Sequence, residues 1–206
     1  MAFGIHWEWR GFGDLPPAIK SSLERLPLKF PAAQDVTDEY LWVPGRKVNV
    51  KLRFRDLKFK RLLGSEDGLE RWLEDEEENY PFPLSTSLLG KLLGTLGVEG
   101  PRGTQGPLDR EGLMRVLGSA IPPVRVVTVE KLRWQRQWGT DEGGGVILEL
   151  AEIRSPEPIA SVALEHPDKE RVAEALRILG LVPLLKPLSY VEAVDIWARG
   201  GRVGAA

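Results

Sequence analysis

The sequence predicts an α+β fold: an antiparallel β-barrel or sheet with flanking helices and a helical insertion, in one domain over residues 1–206. Three observations carry this. Charged and apolar residues alternate along 3–10 and again along 47–60, the period of a strand with one apolar and one polar face. Strand patterns return between residues 124 and 165. Between these blocks, residues 66–121 read as a helical insertion and not as a separate domain.

The elements follow in order. Phe3, Ile5, Trp7 and Trp9 share one face of the first strand, with Gly4, His6, Glu8 and Arg10 on the other. Gly11, Gly13 and Asp14 read as a turn. Pro16 and Pro17 suit a first helical turn, and Ile19, Leu23 and Leu26 make a short amphipathic helix ended by Pro27. A strand over 36–43 closes at Pro44–Gly45. Along 47–55, Val48, Val50, Leu52 and Phe54 alternate with Lys47, Asn49, Lys51, Arg53 and Arg55. Asp56 breaks the strand, and Leu57 to Lys60 supplies a hairpin partner.

The middle reads differently. Leu69 to Glu78 looks helical and ends in an acidic run from Glu74, a solvated helix end. Leu88, Leu89, Leu92, Leu93 and Leu96 recur at helical spacing. A Gly-rich loop over 100–107 leads to a third short helix from Leu108 to Leu117. Strands resume at 124–138, then at 146–153 and 159–165 beyond a turn at Gly143 to Gly145. Asp168 opens a helix closed by Gly180, and Ser189 with Glu192 forms the capping box of the last one. The total is seven strands and five or six helices.

Composition narrows the chemistry. With 206 residues the chain can bury a core without disulfides or a structural metal. It has no cysteine, which removes thiol nucleophiles, Cys-type zinc sites, iron–sulfur clusters and disulfide frameworks. Apolar runs such as Leu181 to Leu185 are too short to span a membrane. The first residues show neither a basic n-region nor a long apolar stretch, so the expectation is a cytoplasmic protein with no membrane partner. No phosphate-binding G-x-x-x-x-G-K-[ST] loop occurs, since Gly90–Lys91 is followed by Leu92. No G-x-S-x-G elbow occurs, and the two histidines, His6 and His166, stand in no H-E-x-x-H.

Charge is unevenly placed. Arg46 to Arg61 holds eight Lys or Arg against one Asp, and Arg125 to Arg136 holds four against one Glu, in a chain of net charge −2. By period-two spacing Lys51, Arg53 and Arg55 share a face, as do Lys58 and Lys60, and Lys131 and Arg133. If these faces converge, like charges repel unless an anion offsets them. Phosphate suits that role, because Arg binds its oxygens bidentately and Lys adds a point charge. Glu8, Glu149, Glu152 and Glu165 also lie on strands, where they would either neutralise the cations or hold Mg²⁺ or Mn²⁺ against a phosphate. Charges turned outward on a half-exposed antiparallel sheet would give the same alternation.

The order of these pieces resembles the CYTH superfamily, the triphosphate tunnel metalloenzymes. His6-Trp7-Glu8-Trp9-Arg10 is similar to that family's opening E-x-E-x-K, and Asp38-Glu39-Tyr40 to its tyrosine-bearing strand. Lys51-Leu52-Arg53 resembles R-x-R, Leu57-Lys58-Phe59-Lys60 the hairpin partner, and Lys131-Leu132-Arg133 the K-x-R strand. Leu148 to Glu152, Ala163-Leu164-Glu165, Leu179-Gly180-Leu181 and Ser189-Tyr190 resemble the later pieces, so the likeness runs from about residue 3 to 197. The departures are His6 and Ala163 for glutamates, Arg10 for lysine, and Leu188 where a lysine is expected, with Lys186 out of register.

The resemblance implies an eight-stranded antiparallel tunnel with a polar inner face, in which basic residues grip a triphosphate and glutamates hold divalent metal. It implies phosphate binding by Arg10, Lys51, Arg53, Arg55, Lys58 and Lys131. Lys60, Arg133 and Glu149 would act in catalysis, and Glu8, Glu152 and Glu165 would hold Mg²⁺ or Mn²⁺. The expected function is binding of a triphosphate-containing small molecule, with metal-dependent hydrolysis of its phosphoanhydride. One alternative is a catalytically impaired module for a nucleotide or polyphosphate. Another is a nucleic-acid binder using 46–61, against which stand the overall acidity and the absence of aromatics on that polar face.

Overall fold

The computed structural model describes residues 4–30, 32–74, 79–104, 106–139 and 144–204. In chain order the elements are β1 (Ile5–Gly13), α1 (Pro17–Glu24), β2 (Gln34–Trp42), β3 (Asn49–Arg53), β4 (Asp56–Glu66), β5 (Leu69–Glu74) and β6 (Tyr80–Pro81). They continue with α2 (Thr86–Leu96), α3 (Arg110–Gly118), β7 (Arg125–Trp138), β8 (Val146–Ser155) and β9 (Ile159–His166). Last come α4 (Lys169–Leu179), β10 (Lys186–Pro187) and α5 (Tyr190–Ala198).

Eight strands close into an antiparallel barrel in the order β1-β5-β4-β3-β2-β7-β8-β9. The seam is the pairing of β1 with β9, from Trp7 opposite His166 to Gly13 opposite Ala160. Closure leaves no open edge in the barrel wall. The charged strand faces point inward. His6, Glu8 and Arg10 on β1 are only 2, 6 and 8% exposed. Their apolar counterparts point outward and are covered by helices. Helices α1 and α4 pack over Trp9, Val146, Leu148, Leu150, Val162 and Leu164. Helices α2 and α3 pack over Leu41, Val50, Leu52 and Leu57.

One end of the barrel is stoppered. Going along each strand by twos, the inward residues change from charged to apolar: Arg10 to Phe12, Asp38 to Tyr40 and Trp42, Lys131 to Val129 and Val127, Glu149 to Ile153. Helix α5 packs Tyr190, Ala193, Val194 and Trp197 against this apolar ring. Phe12 meets Tyr190 and Trp197 edge-on, at 5.4 and 6.1 Å between ring centroids.

Most strands and helices fall where the sequence places them. Ser85 and Asp109 cap α2 and α3, and Ser189 with Glu192 makes the expected capping box. Three expectations are corrected. Leu69 to Glu74 is strand β5, not helix: Asp67 and Gly68, with φ of 51° and 78°, form a tight hairpin turn that starts it. Gly11 and Gly13 belong to β1 and not to a turn; a Cβ on Gly11 would lie 2.8 Å from the Leu185 Cβ. The hairpin after β3 turns at Phe54 and Arg55, and Asp56 already pairs with Arg53. The acidic residues 75–78, Phe3 and Gly143 lie outside the described residues. No described helix is long and apolar enough to cross a membrane.

The β8–β9 turn also holds α5 and the segment that follows it, through Trp197, Val203 and Gly204. The buried Glu157 carboxylate accepts from Trp197 Nε1 (2.9 Å), Val203 N (2.7 Å) and Gly204 N (3.1 Å). Glu157→Ala strips the acceptor from all three donors. It is expected to lower stability in urea unfolding by about 2–3 kcal/mol, with Glu157→Gln losing less.

Candidate functional site

The inward side chains line a cavity of about 580 Å³. Its walls carry Lys29 from the segment before β2 and, from the strands, the cations Arg10, Lys51, Arg53, Lys58, Lys60, Lys131 and Arg133. The strand cations are the residues that the sequence places on the polar strand faces, except for two. Arg55 is exposed in the hairpin turn, because the chain reverses after Arg53 and the alternation stops there. Glu152 lies on the outer face of β8, paired with Lys20, because three residues separate it from Glu149 and an odd step reverses the side. The other candidates, Glu8, Glu149 and Glu165, face the cavity.

Three shared carboxylates hold the cations. Asp38 is fully buried and accepts from Arg53 Nε and Nη2 at 2.5 and 2.7 Å; Lys131 and Lys51 stand 3.5 and 3.6 Å from it. Glu149 faces Arg133 at 2.9 Å, Arg10 at 3.2 Å and Lys131 at 3.6 Å. Glu8 accepts from Lys60 Nζ at 2.6 Å and Arg10 Nε at 2.9 Å. The Tyr190 ring from α5 lies under two cations, with Lys131 Nζ 4.2 Å and Arg10 Cζ 4.4 Å from its centroid.

Burial opposes every charge here, and partners decide the outcome. Against its burial, Asp38 is held well below the usual carboxylate range by Lys51, Arg53 and Lys131. Glu149 is likewise pulled down, by Lys131, Arg10 and Arg133. Lys51 goes the other way. Burial, then Arg53, Lys131 and Lys60, push its ammonium well below its ordinary value, and Asp38 only partly compensates. Its surroundings fit this: Lys58 stands opposite on β4, the directly opposed β2 residue supplies the uncharged Tyr40 hydroxyl 3.4 Å from Nζ, and Asp38, 3.6 Å away, is shared with Arg53 and Lys131. Glu165 is raised, first by burial and then by Glu8 and Glu149, with Lys60 opposing.

Some site residues carry no label in the sequence. Asp38 sits in a strand that reads as ordinary, and its role depends on Arg53 and Lys131 arriving from other strands. Glu70 stands opposite Glu8 from β5, the element expected to be helical. Burial, then the Glu8 charge, raise the Glu70 carboxyl to about 7. The Asp67-Gly68 pair was the available signal, since a D-G between alternating segments marks a hairpin.

The resemblance seen in the sequence implies Mg²⁺ or Mn²⁺, and the side chains do not fit one. Both oxygens of Glu8 and both of Glu149 already face cations. Glu152 is outside the wall. Among the described residues no three His, Asp or Glu side chains are grouped to hold a cation.

No family model matches the chain, and no curated protein matches it in sequence. Solved structures do match. A conserved Pyrococcus furiosus protein superposes with a TM-score of 0.53 at 18% identity, covering 91% of this chain and 98% of that one. A Pyrococcus horikoshii protein gives 0.51 at 18% identity, with 91 and 98% covered. HpAC1 from Hippeastrum, described as an adenylyl cyclase candidate with a dominant triphosphatase activity, gives 0.52 at 16% identity, with 96 and 97% covered. At these identities the likeness is one of fold. The shared fold is a closed antiparallel barrel with flanking helices, as the sequence analysis expects.

The crowding around Lys51 has a consequence for stability. Unfolded, Lys51 keeps its proton up to about pH 10.4. Its depressed value in the barrel means that the unfolded chain binds the extra proton over the range between. In that range Lys51 makes folded stability rise with pH. Lys51→Met should remove this dependence. It should raise the melting temperature at pH 7 by about 2–4 °C, the effect of about 1 kcal/mol in a chain of this size.

Proposed function

We propose that the barrel cavity binds a triphosphate or longer polyphosphate anion. The observation that carries this is the charge imbalance inside the wall. Eight cations, Lys29 included, line the cavity with Glu8, Glu74, Glu149 and Glu165, and the carboxylates of Asp38, Glu8 and Glu149 are each shared among cations. Like charges this close are tolerated in a folded barrel only at a cost that an anion relieves. Arg53 and Arg133 offer fork geometry for phosphate oxygens, and Lys51, Lys58 and Lys60 offer point charges. A chain of phosphates, carrying charge along its length, suits cations spread over β1, β3, β4 and β7.

The nucleic-acid alternative loses its surface. Lys51, Arg53, Lys58 and Lys60 line the inner wall, and Phe54, 72% exposed, is isolated at the hairpin tip. The cations of 46–61 therefore do not form one outer face for a duplex backbone.

Hydrolysis of the terminal phosphoanhydride is a second reading, favoured by the triphosphatase activity named for the Hippeastrum protein of this fold. In it Arg133 and Lys60 stabilise charge on the transferred phosphoryl group. Glu149 acts as an orienting group, since a carboxylate held down by three cations is a poor proton acceptor.

The test is a thermal melt with tripolyphosphate. At about 100 times its dissociation constant the ligand adds roughly 2.7 kcal/mol, a rise of about 5–10 °C. Lys60→Ala and Arg133→Ala should each weaken binding by about ten-fold or more. No shift in the wild type would sink the proposal. Phosphate release from the same ligand then separates an enzyme from a binding module.

A further inference from the structure

Arg10 occupies an unusual place among the inward cations. Its guanidinium stands amid three carboxylates from three strands: Nε is 2.9 Å from Glu8 on β1, Nη1 3.2 Å from Glu149 on β8, and Nη2 3.8 Å from Glu165 on β9. Nη1 also donates to Ser161 Oγ at 3.2 Å, and the Tyr190 ring covers one face of the plane at 4.4 Å. Arg10 is 8% exposed. We infer that the Arg10 guanidinium is the barrel's resident cation, the positive group that Glu8, Glu149 and Glu165 share, and that the cavity takes its polyphosphate as the metal-free anion. The second half of this inference rests on the polyphosphate reading above; the first half does not.

The backbone makes room for this arrangement. Ala163 is the cross-strand partner of both Arg10 on β1 and Glu149 on β8, and it is fully buried on the inner face. A methyl group there leaves the space between the carboxylates to the guanidinium; a longer side chain at 163 would enter it. Glu8 and Glu165 are direct partners across the same seam. Two carboxylates so placed need a cation between them.

An arginine fills this role in a way that a bound ion does not. It stays charged at every accessible pH, and its donors point in fixed directions that match separated carboxylates. It is tethered, so it never leaves with the ligand. To enter, a divalent ion would have to displace a buried charge that keeps all its partners. The remaining wall cations, Lys29 and those on β3, β4 and β7, are then what the anion meets. Magnesium bound to a polyphosphate in solution would remove part of the charge that these groups recognise.

Titration of the ligand-free protein with Mn²⁺, followed by electron paramagnetic resonance, tests the first half. The wild type should show no stoichiometric Mn²⁺ site. Arg10→Ala leaves the carboxylates without their cation and should gain one, with affinity at least ten-fold above the wild type. Arg10→Lys keeps a cation in place and should behave as the wild type does. One Mn²⁺ bound tightly per wild-type chain overturns the assignment, and that measurement decides even if Arg10→Ala does not fold. For the second half, calorimetric titration with tripolyphosphate is run in EDTA and in excess Mg²⁺. Tighter binding in EDTA supports metal-free recognition; binding that requires Mg²⁺ overturns it. No binding in either condition would remove the polyphosphate reading, while the Mn²⁺ titrations would still decide the role of Arg10.

Discussion

The interior of this barrel depends on Asp38, a carboxylate with no solvent exposure that faces three cations at once. A buried lysine or arginine without a counter-charge would be neutralised or would unfold the site. A counter-charge for each cation would cancel the positive field that makes the cavity useful. Sharing resolves the conflict. Asp38 fixes Arg53 through two hydrogen bonds and steadies Lys131 and Lys51 at longer range, and Glu149 does the same for Arg133, Arg10 and Lys131. Arg10, Lys51, Arg53, Lys60, Lys131 and Arg133 each lie near a carboxylate, yet cations outnumber carboxylates along the wall. Lys51 comes off worst, which is why its proton is the one the barrel holds least firmly.

A charged interior forces the rest of the fold. A barrel normally keeps itself together with side chains packed inside it. Here that space is polar, so the apolar faces must be covered from outside. Helices α1 and α4 cover one flank, and α2 and α3 the opposite one. The strands therefore read as amphipathic in the sequence although both of their faces are covered. Trp7 shows the outer limit of this cover: it is half-buried, with Arg71 and Lys169 over its ring at 5.9 and 5.6 Å.

Alternation was legible wherever a strand kept one polar face for several residues, as in β1, β3 and the second half of β7. It could not say which face looked inward; only the order of the pieces favoured an inward polar face. Parity is the finer rule. Glu149 and Glu152 cannot both face the cavity from one regular strand, and the odd step between them was readable from their numbers. The hairpin at Phe54 and Arg55 was harder, since nothing in the local sequence resembles a turn and Phe54 adopts φ of 56°. Strand β5 was hidden by Leu69 and Trp72, buried residues three apart that imitate a helical stripe, and by the register shift between Leu62 and Gly64 in its partner. Asp38 was invisible for a different reason. Its meaning lies in Lys51 and Arg53 from β3 and Lys131 from β7, and no local pattern records them.

Helix α5 links the apolar stopper to the charged wall. Tyr190, its first residue, stacks on Tyr40 at 5.6 Å and lends its ring face to Arg10 and Lys131, so the helix start is fixed by the cations it helps to hold. Glu192, in the same turn, caps the helix by accepting from Ser189 N and adds negative charge near Glu70. Burial and the charges of Glu8 and Glu192 favour the protonated form of Glu70, and its value of about 7 means that it carries a full negative charge only above neutrality. This acid therefore spoils little of the positive excess below neutrality. Above it, the charge returns beside Glu8. Between the ordinary glutamate value and about 7, folded stability declines with rising pH, because the unfolded chain ionises Glu70 at lower pH than the folded one. Lys51 and Glu70 thus pull stability in opposite directions as pH rises. Both shifts have one origin, ionisable side chains enclosed in a wall that has more charges than pairs.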